Sequence, residues 1–148
     1  MLKIDNLNAS YGVIPILHDV GMEVEEGEIV ALLGGNGSGK TTLLNTISGV
    51  IKSQSGRITF LGTDIQNRPP DKIVQMGIAQ IPEGRKIFPY LTVKENLLMG
   101  ACTPKAWRKR LVMLERVCTL FPILKERAKQ RASLMSGGEQ QMLVIARG

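Results

Sequence analysis

The run Gly34–Thr42, GGNGSGKTT, constrains this chain more than any other stretch. It satisfies the pattern G-x-x-x-x-G-K-[ST], with Gly34, Gly39, Lys40 and Thr41 at the defining positions. A strand-like run, Glu28–Leu33 (EIVALL), leads into it, and a helix-like run, Thr41–Ser48, follows. That context distinguishes a phosphate-binding loop from an ordinary Gly-rich turn. A polyphosphate needs several backbone N–H groups aimed at one point, and glycines let the chain wrap closely without a side chain intervening. The positive end of the following helix adds to the anion site. Gly35, Asn36, Gly37 and Ser38 complete the loop, and Thr42 follows it. Lys40 is positioned to reach the β- and γ-phosphates, and the Thr41 hydroxyl to complete an oxygen shell around Mg²⁺. The stretch reads as a nucleotide phosphate site.

The bulk of the chain is compatible with that reading. Its 148 residues suit one domain with a real core, and 43% hydrophobic against 22% charged content reads as soluble and globular. No apolar run approaches the roughly 18 residues that cross a bilayer. The start, MLKIDNL, has no signal-peptide pattern, so a cytoplasmic location is expected. Cys102 and Cys118 form no metal or redox spacing and read as small core residues in a reducing compartment. The net charge of +6 raises the question of nucleic acid or a membrane surface. Its densest part, Lys105–Arg110 (KAWRKR), is expected to be a solvated helix face, and only Trp107 is available there to stack a base.

In chain order, Leu2–Leu7 alternates as a half-buried strand does, and Asn8–Gly12 (NASYG) is a turn cluster containing Tyr11. A second alternating stretch, Val20–Val24, precedes the P-loop strand. These spacings predict an antiparallel β-section beside a parallel, nucleotide-binding one. Gly49 is placed to end the P-loop helix. Ser53–Gly56 is expected to turn, Arg57–Leu61 to form a strand, and Asp71–Met76 a short helix that Gly77 stops. Ile78–Ile81 reads as a buried strand ending at Pro82. Thr92–Glu95 (TVKE) is a capping box for a helix to about Met99, and Pro104 opens a longer amphipathic helix to about Phe121. The organisation expected is an α/β core over residues 1–85, a helical subdomain over 86–135, and a last helix in 136–148. His18 is expected to be partly buried.

Met135–Gln141 (MSGGEQQ) is the second informative motif. Ser136 stands at an N-cap position with Glu139 three residues on, and Gly137 and Gly138 leave the helix N-terminus open. By itself this is compatible with nothing more than a well-capped helix. It lies 96 residues beyond Lys40, however, with a helical segment between.

That combination resembles the ATP-binding cassette (ABC) ATPases, and MSGGEQQMLVIARG is similar to their signature motif and its helix. The resemblance covers Leu2 to Arg147. It implies a P-loop NTPase core of α/β class with an antiparallel β-section and an inserted helical subdomain, using ATP and Mg²⁺. It also implies a second ATPase subunit, so that Ser136, Gly137, Gly138 and Glu139 close on the partner's nucleotide. Tyr11, otherwise a turn residue at the surface, stands where the family stacks an aromatic ring on adenine. The stretch Ile81–Leu97, IPEGRKIFPYLTVKENL, is similar to the nucleotide-binding subunits of branched-chain amino acid importers. Relatives that import urea or short amides share most of this pattern. Glu83 stands where most of the family carries a glutamine that contacts Mg²⁺ and the attacking water. The catalytic expectation therefore rests on Lys40 and Glu83, and the metal expectation on Thr41 and Glu83. The implied partners are transmembrane permease subunits and, indirectly, an external binding protein, with the chain peripheral on the inner membrane face. No nucleic-acid partner is expected, because DNA-repair members carry a far longer insertion and translation-type members two cassettes. The family's Asp-Glu strand and switch histidine do not occur in these residues. The polypeptide is thus expected to be a truncated cassette, inactive alone, and a non-catalytic nucleotide-binding fragment is the alternative.

Overall fold

The computed structural model describes residues 1–148 and divides into two compact units, Met1–Ile78 and Ala79–Gly148.

The first unit is built on a four-stranded antiparallel sheet in the order β2-β1-β3-β4. Its strands are β1 (Leu2–Tyr11), β2 (Ile14–Val24), β3 (Ser53–Phe60) and the short β4 (Thr63–Asp64). Two helices, α1 (Lys40–Ile47) and α2 (Pro70–Gln75), complete it. One sheet face supplies Ile4, Leu7, Ala9, Leu17 and Ile58, which pack with Leu43 and Ile47 of α1 and with Ile65. The first hairpin is longer than the alternation predicted. Pairing runs from Leu2↔Val24 to Tyr11↔Ile14, so most of the expected turn Asn8–Gly12 is strand and only Gly12–Val13 turns. Likewise Ser53–Gly56 is the start of β3 rather than a turn. In both places small polar residues serve a sheet because their side chains bond across it.

That bonding surrounds an irregularity in β1, where the register shifts against both neighbours. Asn6 has φ 49° and Asp19, on β2, has φ 48°. The Asn6 amide donates to Asp19 Oδ1 at 2.6 Å, and Asn8 Oδ1 accepts the Asp19 N–H at 3.0 Å. The Asn8 amide donates to Asn6 O at 2.9 Å and to Ser55 Oγ at 3.1 Å, so one side chain ties three strands together. Gly56 (φ +92°) lies beneath: a Cβ there would meet Asn6 O at 2.5 Å and Leu7 Cα at 2.6 Å.

Two expected strands are absent. Glu28–Leu33 and Ile78–Ile81 are not strands and join no sheet. Ile29 is 96% and Leu33 91% exposed, although their composition is that of a buried strand. A strand is stable through hydrogen bonds and packing supplied by neighbouring strands, and neither run is a member of the sheet. The expected parallel section is therefore not formed, while the antiparallel section is. His18 is exposed, not partly buried.

The second unit is helical: α3 (Val93–Met99), α4 (Pro104–Leu120), α5 (Pro122–Glu126), a 3-10 turn at Ala132–Leu134, and α6 (Gly137–Arg147). Its core is Val93, Leu97, Leu124, Ala132, Met135 and Leu143. The start of α3 is tied to the segment before the 3-10 turn by Val93 N–H to Gln130 O at 2.9 Å and Lys94 N–H to Ala128 O at 3.0 Å. The capping box at Thr92 is present, and Thr103 caps α4 by accepting from the Ala106 N–H at 3.1 Å. Cys102 is exposed and Cys118 half-buried, so neither fills the core position expected of it. None of the helices is long and apolar enough to cross a membrane.

Candidate nucleotide site

The loop Gly34–Gly39 folds as its glycines require. Gly37 has φ +82° and Gly39 φ +89°, a region that L side chains rarely adopt. Gly39 is the N-cap of α1, which begins at Lys40, and the Leu43 N–H reaches back to Gly39 O at 2.8 Å. A Cβ added at Gly35 or Gly37 would meet nothing within 4 Å, so the loop is open at those two positions. A Cβ at Gly39 would meet Leu17 Cδ2 at 3.0 Å and Ile16 Cγ2 at 3.5 Å. The end of the loop is thereby seated directly on β2, the strand that runs on to the hairpin turn beside Tyr11. Tyr11 itself is 51% exposed, as a stacking platform has to be.

The Lys40 ammonium arches over the loop. It donates to Gly34 O and Gly35 O, both at 2.8 Å, and to Ser38 Oγ at 3.3 Å. The side chain is thus held across the cradle rather than splayed into solvent. The first turn of α1 contains no acidic side chain, which leaves its positive end uncompensated. Thr41 is exposed, whereas Thr42 is buried, and the Thr42 carbonyl accepts the Thr46 hydroxyl at 2.8 Å. This donor set fits a polyphosphate: backbone N–H groups, one ammonium, one hydroxyl and no carboxylate. No group of three or more His, Cys, Asp or Glu assembles in the chain, so Mg²⁺ held by Thr41 would share its shell with phosphate oxygens and water.

The second unit carries the other predicted residues. Ser136 accepts the Glu139 N–H at 3.4 Å, while Glu139 Oε2 accepts the Ser136 N–H at 2.8 Å, which completes the predicted capping box. Hydrogen bonding to the carboxyl, first from the Ser136 backbone N–H and then from its hydroxyl, holds Glu139 below the usual glutamate range. Arg127 Nε adds an ion pair with Glu139 Oε1 at 3.0 Å. Gly138 is open, with nothing within 4 Å of an added Cβ. Gly137 is not: the guanidinium of Arg85 lies where its Cβ would be. Arg85 (φ 49°) follows Glu83 in the PEGR segment, and neither its position against Gly137 nor the Arg127 pairing was read from sequence. The only local signal was a cation inside a distinctive motif.

Glu83 is exposed in a bend at Glu83–Gly84. The loop after it is anchored by Asn96, which is fully buried. Asn96 Oδ1 accepts the Phe88 N–H at 2.8 Å, and its amide donates to Phe88 O and Thr92 O at 3.0 Å each. Arg147 also donates to Lys86 O and stacks over the Phe88 ring at 5.0 Å.

Comparison with known proteins agrees with this geometry. The sequence profile of the family described as ABC transporter matches residues 17–148. The chain is 49% identical over 148 residues to the high-affinity branched-chain amino acid transport ATP-binding protein BraG of Pseudomonas aeruginosa, covering 99% of this chain and 63% of BraG. It is 38% identical over 146 residues to the probable branched-chain amino acid transport ATP-binding protein LivF of Archaeoglobus fulgidus, covering 99% and 61%. The chain therefore spans rather less than two thirds of these relatives. Among solved structures, a nucleotide-free ATP-binding cassette from an ABC transporter superposes with a TM-score of 0.83 at 29% identity, over 99% of this chain and 63% of that one. A glycine-rich loop with the Lys40 ammonium held across it, a capped helix at Ser136 and a profile match over residues 17–148 make this chain a member of the ABC transporter family, with the fold of its ATP-binding cassettes.

Proposed function

We propose that this chain is the P-loop and signature portion of the ATP-binding subunit of an ABC importer, serving branched-chain amino acids. The observation that carries the nucleotide assignment is the Gly34–Lys40 loop, with its open glycine cradle and the ammonium held across it. Backbone N–H groups of Gly35–Gly39 and the Lys40 ammonium would hold the β- and γ-phosphates of ATP. Thr41 would hold Mg²⁺, which supplies charge neutralisation between the phosphates when bound. Tyr11 would stack on adenine, and Ser136–Glu139 would close on the nucleotide of a second ATPase subunit. Glu83 would face the metal and the attacking water. The identities of 49% and 38% to two branched-chain amino acid proteins support that substrate over urea or short amides. Permease subunits are the implied partners, with the chain peripheral on the inner membrane face. The organisation proposed for the whole subunit is a core over about 1–85, a helical subdomain over about 86–135 and the signature helix in 136–148, whereas in this chain residues 79–148 form one compact unit.

Titration with a fluorescent ATP analogue tests the nucleotide site. Lys40→Ala is expected to weaken binding by about 100-fold, because charge-assisted phosphate contacts contribute about 1.5–3 kcal/mol each. Unchanged affinity in a folded variant would remove the assignment. For the substrate, leucine, isoleucine and valine uptake driven by the subunit assembled with its permeases should exceed urea uptake.

A further inference from the structure

The chain's positive charge is not spread evenly. Unit 79–148 holds 13 of the 19 Lys and Arg but only 5 of the 13 Asp and Glu, so the first unit is slightly acidic and the second strongly basic. Within it five of those 13 cations lie on α4. Taken at 100° per residue, Lys105, Arg108, Lys109 and Arg116 fall on one stripe with Val112 and Leu120. All four cations are exposed, Val112 is 65% exposed and Leu120 68%. The opposite side, with Ala106, Leu114 and Val117, is half-buried against the unit.

Three observations set this stripe apart from an ordinary solvated face. None of the chain's ion pairs involves α4. Its single acid, Glu115, has Leu111, Val112, Cys118 and Thr119 at the three- and four-residue spacings, so no intrahelical pair can form. The charges also oppose the helix dipole: the first turns carry Lys105, Arg108 and Lys109, the first turn has no acid, and the last turn has no base. Helix stability therefore does not account for them. Arg110, by contrast, is used internally: it donates to Trp107 O at 2.8 Å and stacks on the Trp107 ring at 4.2 Å.

We propose that the outer face of α4 docks on an anionic phospholipid surface. Unpaired cations interleaved with exposed aliphatic side chains suit headgroup phosphates above acyl chains. A nucleic-acid stripe would want aromatic platforms, and this one has none. The proposal extends the importer reading, which puts the chain beside a membrane, but it uses no residue of the nucleotide site.

Co-sedimentation of the full chain with vesicles of about one-third phosphatidylglycerol in phosphatidylcholine, at about 0.1 M salt, tests it. Binding is expected there and not to phosphatidylcholine alone. At about fivefold per cation near such a surface, the variant K105Q/R108Q/K109Q/R116Q should lose on the order of hundreds-fold at low salt, less as salt rises. The matched variant K94Q/K125Q/K129Q/R131Q changes net charge equally elsewhere in the unit, at exposed sites, and should lose less than a tenth as much. Circular dichroism of both variants checks that they fold. Equal losses in the two, absence of binding, or tighter binding to duplex DNA or RNA than to the vesicles would each overturn the proposal. The ATP-analogue titration of the same samples shows separately whether the nucleotide reading stands.

Discussion

Asn96 illustrates how much a single side chain decides. A buried amide with its oxygen and nitrogen both bonded to backbone is nearly as rigid as a strand pairing, and here it shapes the loop that follows Glu83. Asn96→Ala strands the Phe88 N–H and carbonyl, so a loss of about 2–4 kcal/mol is expected, read from urea unfolding. The two capping glutamates make a pH prediction. Hydrogen bonds from the Thr92 hydroxyl and then its N–H lower the Glu95 carboxyl, as those from Ser136 lower Glu139. Because both are depressed in the folded state, their contribution is full above the unfolded glutamate pKa and is lost as pH falls through the folded values. Gln at either position can still cap a helix but does not titrate. Glu95→Gln and Glu139→Gln should therefore each flatten the loss of unfolding midpoint between pH 7 and the acid range below about 4. An unchanged pH slope would count against the capping role.

Among the elements, helices were the most legible. Pro104, the Thr92 and Ser136 capping boxes and the stop at Gly77 are local signals, and each marks a boundary within a residue or two of the observed one. The sheet was less so, because β1 and β3 contain polar and small residues that acquire a purpose only when three strands lie side by side. Asn8 looks like a turn residue until Asp19 and Ser55 are brought to it. Gly56 is the sharpest test of that arrangement. Gly56→Ala combines a positive φ with backbone atoms at 2.5 and 2.6 Å, so a cost of about 3 kcal/mol or more is expected, measured by thermal unfolding. A variant within about 0.5 kcal/mol of the parent would mean that the β1 irregularity relaxes freely.

At the scale of this 148-residue chain, the exposed run before the Gly34–Thr42 loop is the notable liability. Ile29 and Leu33 are nearly fully solvated in a segment with the composition of a core strand. An exposed apolar stretch outside any sheet is a template for association with another chain. Amides of residues 29–33 should exchange rapidly in deuterium-exchange mass spectrometry while those of β1 around Leu7 exchange slowly. The double variant Ile29→Lys with Leu33→Lys should aggregate markedly less by light scattering, with little change in unfolding midpoint, since neither side chain is packed. Slow exchange across 29–33 would show that the segment finds a partner in solution.

What could be read from sequence alone was whatever short-range chemistry specifies: the glycine turn into α1, the capped helices at Thr92 and Ser136, and through their motifs the family. These depend on residues within a few positions of one another, so spacing carries the information. What required the folded chain was everything set by pairing at a distance. That Ile78–Ile81 joins no sheet, that Asn8 locks three strands, that Arg85 lies on Gly137 and that four cations line one face of α4 without an ion pair are consequences of which neighbours are present, and a strand's stability or a charge's compensation comes from those neighbours rather than from its own sequence.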